Sequence, residues 1–291
     1  MKELKVSIIM PTFNHGNYIN HAITSVKNQD YQNWELIIID NYSTDKTEEK
    51  VKNFEDARIR YEKFRNNGVI AASRNFGIKL STGDLIAFLD SDDEWTSKKL
   101  STCIRELVKS NADLIYHQMN IKKISTLPYI RRMTKHRKLT HPSYYDLLEN
   151  GNPIINSSVV MKKSIRESVG LLNEDFDYFA WEDFDYWIRI SKSGFKLQLI
   201  NEPLGYYLVG VNNTSSSSRR LLINRAIKKH YFEDNNKPTW MIFSDLKSYC
   251  NLLESKYALK EFKNLIQTKD VPIGTILKGV ILLIQTLTRI R

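Results

Sequence analysis

Four acidic residues follow one another almost without interruption in the first third of the chain. Asp90, Asp92, Asp93 and Glu94 come directly after the apolar run 85–89. Clustered carboxylates repel one another and are costly unless a cation shares them. Mn²⁺ and Mg²⁺ prefer oxygen ligands, and Mg²⁺ is commonly held by one or two carboxylates together with substrate phosphates. The cluster therefore predicts a divalent metal bound beside a diphosphate. The alternative is a solvated turn whose aspartates cap the next helix.

The apolar run before these acids predicts where they lie in the fold. A short, continuous apolar segment that begins after a turn residue, here Gly83, is typical of a strand buried on both faces of a parallel sheet. Ligands of such sheets bind outside the carboxyl ends of the strands. The acids are therefore expected at the ligand-binding edge.

Strand and helix patterns alternate through the first 118 residues. Strands are predicted at 5–10, 34–39, 59–62, 85–89 and 113–118, and helices at 18–29, 69–80 and 98–109. Ser43 or Thr44 is the predicted N-cap of a further helix. This alternation indicates βαβ units and a parallel sheet. No G-x-G-x-x-G follows the first strand, which argues against a dinucleotide-binding oxidoreductase.

The second half of the chain has a less regular pattern. Helices are predicted at 143–149 and 183–192, strands at 157–161, 196–200 and 205–209, and helix throughout the region beyond the serine tract 215–218. Asp185 and Arg189 are four residues apart, which predicts an ion pair on the helix that contains them.

The net charge of the 291-residue chain is +10 at pH 7 and is unevenly distributed. Residues 122–138 carry seven Lys/Arg and no acid, and residues 219–291 carry fourteen Lys/Arg against six acids. The basic regions indicate an anionic partner such as a membrane surface, a lipid phosphate or nucleic acid. The alternative is that they are solvated helix faces.

The cysteines and the N-terminus favour a cytoplasmic setting. Cys103 and Cys250 lie far apart and lack metal-ligand spacing. The first apolar run spans only five residues, 6–10, which is too short for a signal peptide.

Taken together, four segments resemble the family 2 glycosyltransferases, nucleotide-sugar-dependent enzymes with the GT-A fold. These segments are PTFN at 11–14, DNYSTDKT at 40–47, SRNFGIKLSTGDLIAFLDSDDEW at 73–95 and WEDFDYWIRISKSGF at 181–195. The resemblance covers roughly residues 4–210. It implies an α/β GT-A fold with a mainly parallel central sheet flanked by helices. The expected division is a nucleotide-sugar-binding half at 1–118, an acceptor-binding half at 119–214 and a helical C-terminal extension at 219–291.

The resemblance assigns the donor site. Thr12 and Asp40 would hold the nucleoside, and a carboxylate can accept the imide N–H of uracil, which cytosine lacks. Arg74 would lie beside the diphosphate or the base, Asp90 would reach the ribose or a metal-bound water, and Asp92 would ligate Mn²⁺ or Mg²⁺ directly. The metal would act as a Lewis acid on the departing diphosphate. The alternatives are a capping role for Asp40 and a helix ion pair for Arg74.

The resemblance also assigns the acceptor site. Asp183 would be the general base that takes the proton of the attacking hydroxyl, and Glu182 and Trp181 would contact the acceptor. A single displacement with one base inverts the anomeric configuration. The alternatives are that Asp183 and Glu182 only favour a helix N-terminus and that Trp181 belongs to the core.

One segment departs from the family pattern at two positions. Many relatives follow the last strand with Tyr-Arg-x-His, whose histidine completes the metal site. The corresponding residues here are Tyr207, Leu208, Val209 and Gly210, so the arginine and the histidine are both missing.

The C-terminal tail predicts an amphipathic helix. Its apolar face consists of Ile273, Ile276, Leu277, Val280, Ile281, Ile284 and Leu287. Lys278 interrupts the apolar run, and a membrane-spanning helix needs about 20 apolar residues, so an interfacial helix ending in Arg289 and Arg291 is the better prediction. Packing onto the catalytic domain and a dimer contact are the alternatives.

These expectations combine into one predicted function. The chain would move a hexose or N-acetylhexosamine from a UDP-sugar to a lipid-diphosphate-linked sugar at the cytoplasmic membrane surface, in bacterial surface-polysaccharide assembly such as that of O-antigen or capsule. A sugar-phosphate nucleotidyltransferase is one alternative, but its glycine-rich N-terminal loop is absent. A nucleic-acid-binding protein is the other, and it would leave the acidic motifs unexplained, so no nucleic-acid partner is expected.

Overall fold

The computed structural model describes residues 3–123, 132–134, 136–209, 217–232, 237–268 and 271–290. The chain divides into two compact units. The first unit consists of Met1–Tyr144 and Pro153–Val211, and the second of Tyr145–Asn152 and Asn212–Arg291. The predictions on Gly210, Arg291, residues 124–131 and Lys135 of the basic stretch, and the first two residues of the serine tract lie outside the described residues.

Nine strands among the described residues form one mixed sheet in the first unit. They are β1 Val6–Thr12, β2 Trp34–Asp40, β3 Ile59–Lys63, β4 Leu85–Phe88, β5 Glu94–Trp95, β6 Leu114–Lys123, β7 Arg132–Met133, β8 Val160–Lys162 and β9 Leu197–Val209. Their order is β3-β2-β1-β4-β8-β6-β9-β5, and β7 pairs with β6. The four strands β3, β2, β1 and β4 are parallel, as predicted from the alternation of strands and helices, whereas β8 is antiparallel to both of its neighbours.

The helices before the last strand are α1 Ile19–Lys27, α2 Thr47–Lys52, α3 Ile70–Leu80, α4 Lys99–Ser110, α5 Ser143–Asn150, α6 Ile165–Val169 and α7 Glu182–Lys192. Helices such as α1 and α4 pack an apolar stripe against this sheet. The core joins buried strand residues such as Ile8 and Ile38 to Ile23 of α1 and Leu100 of α4. Helix α5 crosses the boundary between the two units.

Three local predictions are corrected by the structure. The strand predicted at 157–161 begins only at Val160, after a 3₁₀ turn at Asn156–Ser158. The strands predicted at 196–200 and 205–209 are one strand, β9, because a register shift opposite Gln118 accommodates Pro203 without breaking the pairing.

Neither Ser43 nor Thr44 caps α2, which begins at Thr47. Asp45 accepts the backbone N–H of Thr47 at 3.0 Å instead, while the hydroxyl of Ser43 turns back to Asp40. A capping rule based on residue type does not detect that Ser43 bonds to Asp40 and that Asp45 accepts the N–H of Thr47.

The second unit is helical, as predicted. Its helices beyond α5 are α8 Ser217–Tyr231, α9 Thr239–Asn251, α10 Ser255–Gln267 and α11 Ile273–Ile290. Ile242 and Leu246 of α9, Ala258 and Leu265 of α10 and Leu283 of α11 form its core. None of the described helices is both long enough and apolar enough to cross a membrane.

Helix α11 exposes most of its predicted apolar face. The exposed fractions are 77% for Ile273, 57% for Leu277, 36% for Val280, 55% for Ile281, 56% for Ile284 and 44% for Leu287. Its opposite face is packed, because Leu283 is 7% exposed and Gly279 lies against Phe262 of α10.

Candidate active site

The predicted donor residues lie at the carboxyl edge of the parallel strands. Thr12 and Asp40 are register partners at the ends of β1 and β2, and Asp90 follows the end of β4, the other parallel neighbour of β1. This edge is where open α/β sheets bind their ligands.

Asp40 is fully buried and is held by protein donors. Its carboxylate accepts the backbone N–H of Ser43 at 3.1 Å and the hydroxyl groups of Ser43 and Tyr61. Burial and the hydrogen bond to Asp40 raise the pKa of Tyr61 above its ordinary value. Thr12 is also buried, and its Oγ1 finds no hydrogen-bond partner among the described residues. Asp40 thus shapes the turn after β2, and its contact with a base stays a prediction.

Arg74 of α3 connects the two acidic motifs. Its guanidinium is 4% exposed and donates to Asp90 Oδ1 at 2.9 Å and to Glu182 Oε1 at 2.6 Å. Burial opposes the charge of Arg74, but Asp90 and Glu182 outweigh it, so the pKa of the guanidinium is raised. The arginine therefore pairs with acids from two other segments, and it fixes the start of α7 beside the acidic loop after β4.

The acidic loop carries like charges that are only partly compensated. Asp92 is half-buried, and burial together with the neighbouring charge of Asp90 raises its pKa. Asp93 is 1% exposed, and burial and the charges of Asp92 and Asp90 raise its pKa well above the ordinary value. Its Oδ1 accepts the backbone N–H of Leu208 at 3.0 Å. Asp93, whose role the sequence left open, therefore joins the loop to β9.

The 3₁₀ turn Asn156–Ser158 supports the same loop from another side. The hydroxyl of Ser157 accepts the backbone N–H of Asp90 at 3.1 Å, and its carbonyl accepts Nε1 of Trp95 at 2.8 Å. Nothing in the local sequence pattern singled out this turn, because its contacts are with residues far away along the chain.

Asp183, the predicted base, lies in the first turn of α7. The side chain is half-buried and accepts the backbone N–H of Phe184 at 2.6 Å. Burial and the adjacent charge of Glu182 raise its pKa to about 7, against the opposing effect of Arg74. A carboxyl group with a pKa near neutrality can both accept and release a proton at physiological pH.

Trp181 is covered in this structure. Its ring is 2% exposed and stacks on Tyr178 with 4.7 Å between centroids, while Nε1 donates to the carbonyl of Asp177 at 2.8 Å. A contact with the acceptor stays a prediction. The predicted ion pair on the same helix is confirmed, since Nε of Arg189 lies 2.8 Å from Oδ2 of Asp185.

Two further side chains belong to the site although neither was predicted as a site residue. Burial and the charges of Asp93, Asp90, Asp92 and Asp183 all raise the pKa of Tyr207, so its hydroxyl lies within electrostatic reach of these acids. Nδ1 of His15 lies 2.7 Å from the hydroxyl of Ser91, in the middle of the acidic loop. The first tyrosine of the Tyr-Arg-x-His pattern was the available signal for Tyr207.

The donor set fits a divalent metal that shares its shell with a substrate. Among the described residues, no group of three or more His, Cys, Asp and Glu could hold an ion. Mg²⁺ in particular is usually held by one or two carboxylates, waters and substrate phosphates. Asp90 and Asp92 offer such carboxylates, and a cation would relieve the repulsion that raises the pKa of Asp92.

Comparison with known proteins supports the family that the sequence motifs indicated. Residues 7–168 match the model of a family described as glycosyl transferase family 2. One relative is the Escherichia coli UDP-Glc:alpha-D-GlcNAc-diphosphoundecaprenol beta-1,3-glucosyltransferase WfgD, which is 35% identical over 193 residues, covering 66% of this chain and 72% of WfgD.

Two solved structures share the fold. S. aureus TarS 1-349 in complex with UDP-GlcNAc aligns with a TM-score of 0.60 and 17% identity over 97% of this chain and 89% of TarS 1-349. The mannosyltransferase PcManGT from Pyrobaculum calidifontis, in complex with GDP-Man and Mn²⁺, aligns with a TM-score of 0.59 and 16% identity over 99% and 87% of the two chains. These alignments confirm the GT-A fold that the sequence predicted.

Proposed function

The chain belongs to glycosyl transferase family 2, and from that premise we propose that it transfers a hexose or N-acetylhexosamine from a UDP-sugar to a lipid-diphosphate-linked sugar. The observation that carries this proposal is the bridge of Arg74 between Asp90 and Glu182. It brings Asp183, with its raised pKa, to the carboxyl edge of the sheet where a nucleotide diphosphate would bind.

The acceptor half of the reaction is assigned to the start of α7. Asp183 takes the proton of the acceptor hydroxyl while that oxygen attacks the anomeric carbon. Arg74 holds Glu182 at 2.6 Å, so Glu182 is a positioning residue that also raises the pKa of the base. Because the proposal uses one base and one displacement, the anomeric configuration is inverted.

The donor half is assigned to the ends of β1, β2 and β4. Thr12 and Asp40 bind the uridine, and Arg74 and Asp90 lie on the diphosphate side. Asp90 and Asp92 would hold Mn²⁺ or Mg²⁺, which when bound stabilises the negative charge of the leaving diphosphate as a Lewis acid. Support comes from the relative WfgD, which is a UDP-Glc glucosyltransferase, and from the Mn²⁺ bound in the PcManGT structure.

The proposed acceptor places the protein at the cytoplasmic surface of the membrane, and α11 is the proposed contact. Its exposed face carries six apolar side chains, and the helix contains a lysine, Lys278, and no acid. Such a helix suits the interface of an anionic bilayer, where apolar residues enter the headgroup region and basic residues meet lipid phosphates. The name of WfgD, whose acceptor is linked to diphosphoundecaprenol, supports a lipid-bound substrate.

The transfer proposal is tested by turnover. Purified protein with Mn²⁺ is incubated with a panel of UDP-sugars, with GDP-mannose as the comparison donor, and with GlcNAc or GalNAc diphosphate-lipid analogues as acceptors. We expect transfer from a UDP-sugar and a product whose anomeric configuration, measured by NMR, is opposite to that of the donor. A retained configuration, or transfer from GDP-mannose alone, would refute it.

The membrane proposal is tested by flotation with anionic vesicles. Replacement of Leu277, Ile281 and Ile284 by serine should abolish flotation. The matched control replaces Leu259 and Ile266, which are 42% and 50% exposed on α10, and should still float. If the first variant floats as the wild type does, or instead converts a dimer to a monomer, α11 is not the membrane contact.

A further inference from the structure

Asn156 is a buried side chain whose hydrogen-bonding groups are unused. It opens the 3₁₀ turn after β6 and α5 and is 4% exposed. Among the described residues, neither Oδ1 nor Nδ2 of its amide has a hydrogen-bond partner. An unsatisfied buried polar group lowers stability, so such a group in a native protein needs an explanation, for example a ligand that completes it.

The backbone around Asn156 is well fixed, so a loose turn does not explain the unpaired amide. The carbonyl of Asn156 accepts the N–H of Val159 at 3.1 Å, and the carbonyl of Ile155 accepts the N–H of Ser158 at 2.9 Å. Ser157, the next residue, contacts Asp90 and Trp95 at the two ends of the acidic loop. The turn therefore holds Asn156 next to the residues proposed to bind the donor.

Other residues assigned to the active site share this property. Thr12 Oγ1, Arg74 Nε and Glu182 Oε2 are buried atoms without partners among the described residues. Unpaired buried atoms also occur away from the site, for instance on Trp34 and Ser191. The position of Asn156 beside the acidic loop, rather than the missing bonds alone, distinguishes it from those.

Asn75 shows that this fold satisfies a buried asparagine where the side chain is structural. Asn75 of α3 is 1% exposed, and its Nδ2 donates to the carbonyl of Leu172 and to Glu174, both at 2.8 Å. Its Oδ1 accepts the N–H of Leu172 at 3.0 Å. Both asparagines are buried, but only the amide of Asn75 is hydrogen-bonded to other groups of the described protein.

We propose that Asn156 binds a hydroxyl group of one of the two sugars at the reaction centre. A neutral amide offers both a donor and an acceptor, as does a sugar hydroxyl. The loop that Ser157 contacts carries the carboxylates of Asp90, Asp92 and Asp93, which disfavour an anionic group near it. The proposal rests on the proposed glycosyl transfer and adds to it a specificity-determining residue outside the family motifs quoted above.

The test compares Asn156→Leu with Asn75→Leu. The Asn156→Leu variant should keep or raise the melting temperature, because it removes an unsatisfied polar group, while kcat/KM for transfer falls about tenfold, the loss expected for one hydrogen bond of about 1.4 kcal/mol. Asn75→Leu should lower the melting temperature strongly. The affinity for UDP, which carries no sugar, should stay unchanged in Asn156→Leu.

The kinetics distinguish the two sugars, and the controls separate this proposal from the proposed function. A fall confined to the donor kcat/KM assigns the hydroxyl to the transferred sugar, and a fall confined to the acceptor kcat/KM assigns it to the acceptor. The proposal is overturned if Asn156→Leu transfers sugar within twofold of the wild-type rate, or if it loses stability as Asn75→Leu does. Asn156→Ala, which adds no bulk, must show the same fall in kcat/KM without a loss of stability. Absence of transfer by the wild-type protein would instead refute the proposed function.

Discussion

Buried charge is compensated in the second unit and left partly uncompensated in the first. In the second unit, Nζ of Lys237 lies 2.7 Å from Asp245 and 3.0 Å from Glu261, and Nδ2 of Asn224 donates to Asp245 at 2.7 Å. Burial still raises the pKa of Asp245, but hydrogen bonds from Lys237 and Asn224 oppose that effect. The network joins α8, α9 and α10 and contains a cation for its two acids.

In the first unit, the buried Arg74 contacts two acids, and within the described part of the chain no ion pair is seen for Asp92, Asp93 or Asp183. Arg74 pairs with Asp90 and Glu182, whereas the pKa values of Asp92, Asp93 and Asp183 are raised. Retaining such charges lowers stability unless a ligand neutralises them. The difference separates an ion network that holds helices together from one arranged to receive a metal and a proton.

The largest effect is expected when the proposed base, Asp183, is replaced. Asp183→Asn keeps the shape of the side chain but cannot take a proton. General-base catalysis is worth about 10²–10⁴-fold, and a base acts mainly in the transition state. We expect kcat to fall by that factor while calorimetry shows unchanged binding of UDP. A kcat within about fivefold of wild type would move the base elsewhere, with Glu182 as the next candidate.

The same variant should be more stable than wild type at high pH. The folded-state pKa of Asp183 is raised to about 7, so wild type loses stability as pH rises from the unfolded carboxyl pKa of about 4 to about 7, because the folded protein holds a proton that the unfolded chain releases. The amide that replaces the carboxyl group in the variant does not titrate. Thermal melting should give Asp183→Asn a higher melting temperature than wild type at pH 8, and this difference should shrink at pH 5. A difference that does not depend on pH would contradict the raised pKa of Asp183.

Breaking the compensated network should reduce stability rather than catalysis. Lys237→Met leaves Asp245 and Glu261 buried without their cation, which should cost about 2 kcal/mol in the free energy of unfolding, a value reduced because the lysine is 25% exposed. Urea denaturation measures this effect. The matched control is Lys247→Met on the exposed side of α9, which should change little. Equal stability of the two variants would show that the network is dispensable.

The metal assignment predicts a loss of coupled binding in Asp92→Ala. Titration calorimetry with Mn²⁺ and UDP should show at least a roughly tenfold weaker metal-dependent affinity for UDP, or about 1.4 kcal/mol. The melting temperature without metal should not fall, because removal of Asp92 relieves its repulsion with Asp90. Undiminished Mn²⁺-dependent binding of UDP would exclude Asp92 as a ligand.

The smallest expected effect concerns the pH dependence of kcat. Asp183 must be ionised to act as a base, so kcat should fall as pH drops below about 7 in the wild type. The charge of Glu182 is the second cause of the raised pKa after burial. Glu182→Gln should therefore shift this acid limb to lower pH. An unshifted limb would mean that Glu182 is uncharged or that Asp183 is not the titrating group.

The sequence by itself determined the fold class, most elements and the location of the acids. Buried parallel strands appear as continuous apolar runs, and helices as stripes with a period of 3.6 residues, so each can be identified from neighbours along the chain. The pair Asp185–Arg189 and the apolar face of α11 follow the same rule. The family motifs added the residues at the strand ends, which their order along the chain brings to one edge.

Only the tertiary structure decided which side chains meet across the site. Arg74 reaches Glu182 across more than a hundred residues of sequence, and Asp93 is bonded to Leu208 in the same long-range way. Asn75 and Asn156 are the same residue type, yet one is fully bonded and the other is not. No local pattern distinguishes them, because hydrogen bonds and pKa shifts depend on distance and burial in the folded chain, and folding sets both through contacts that are remote in sequence.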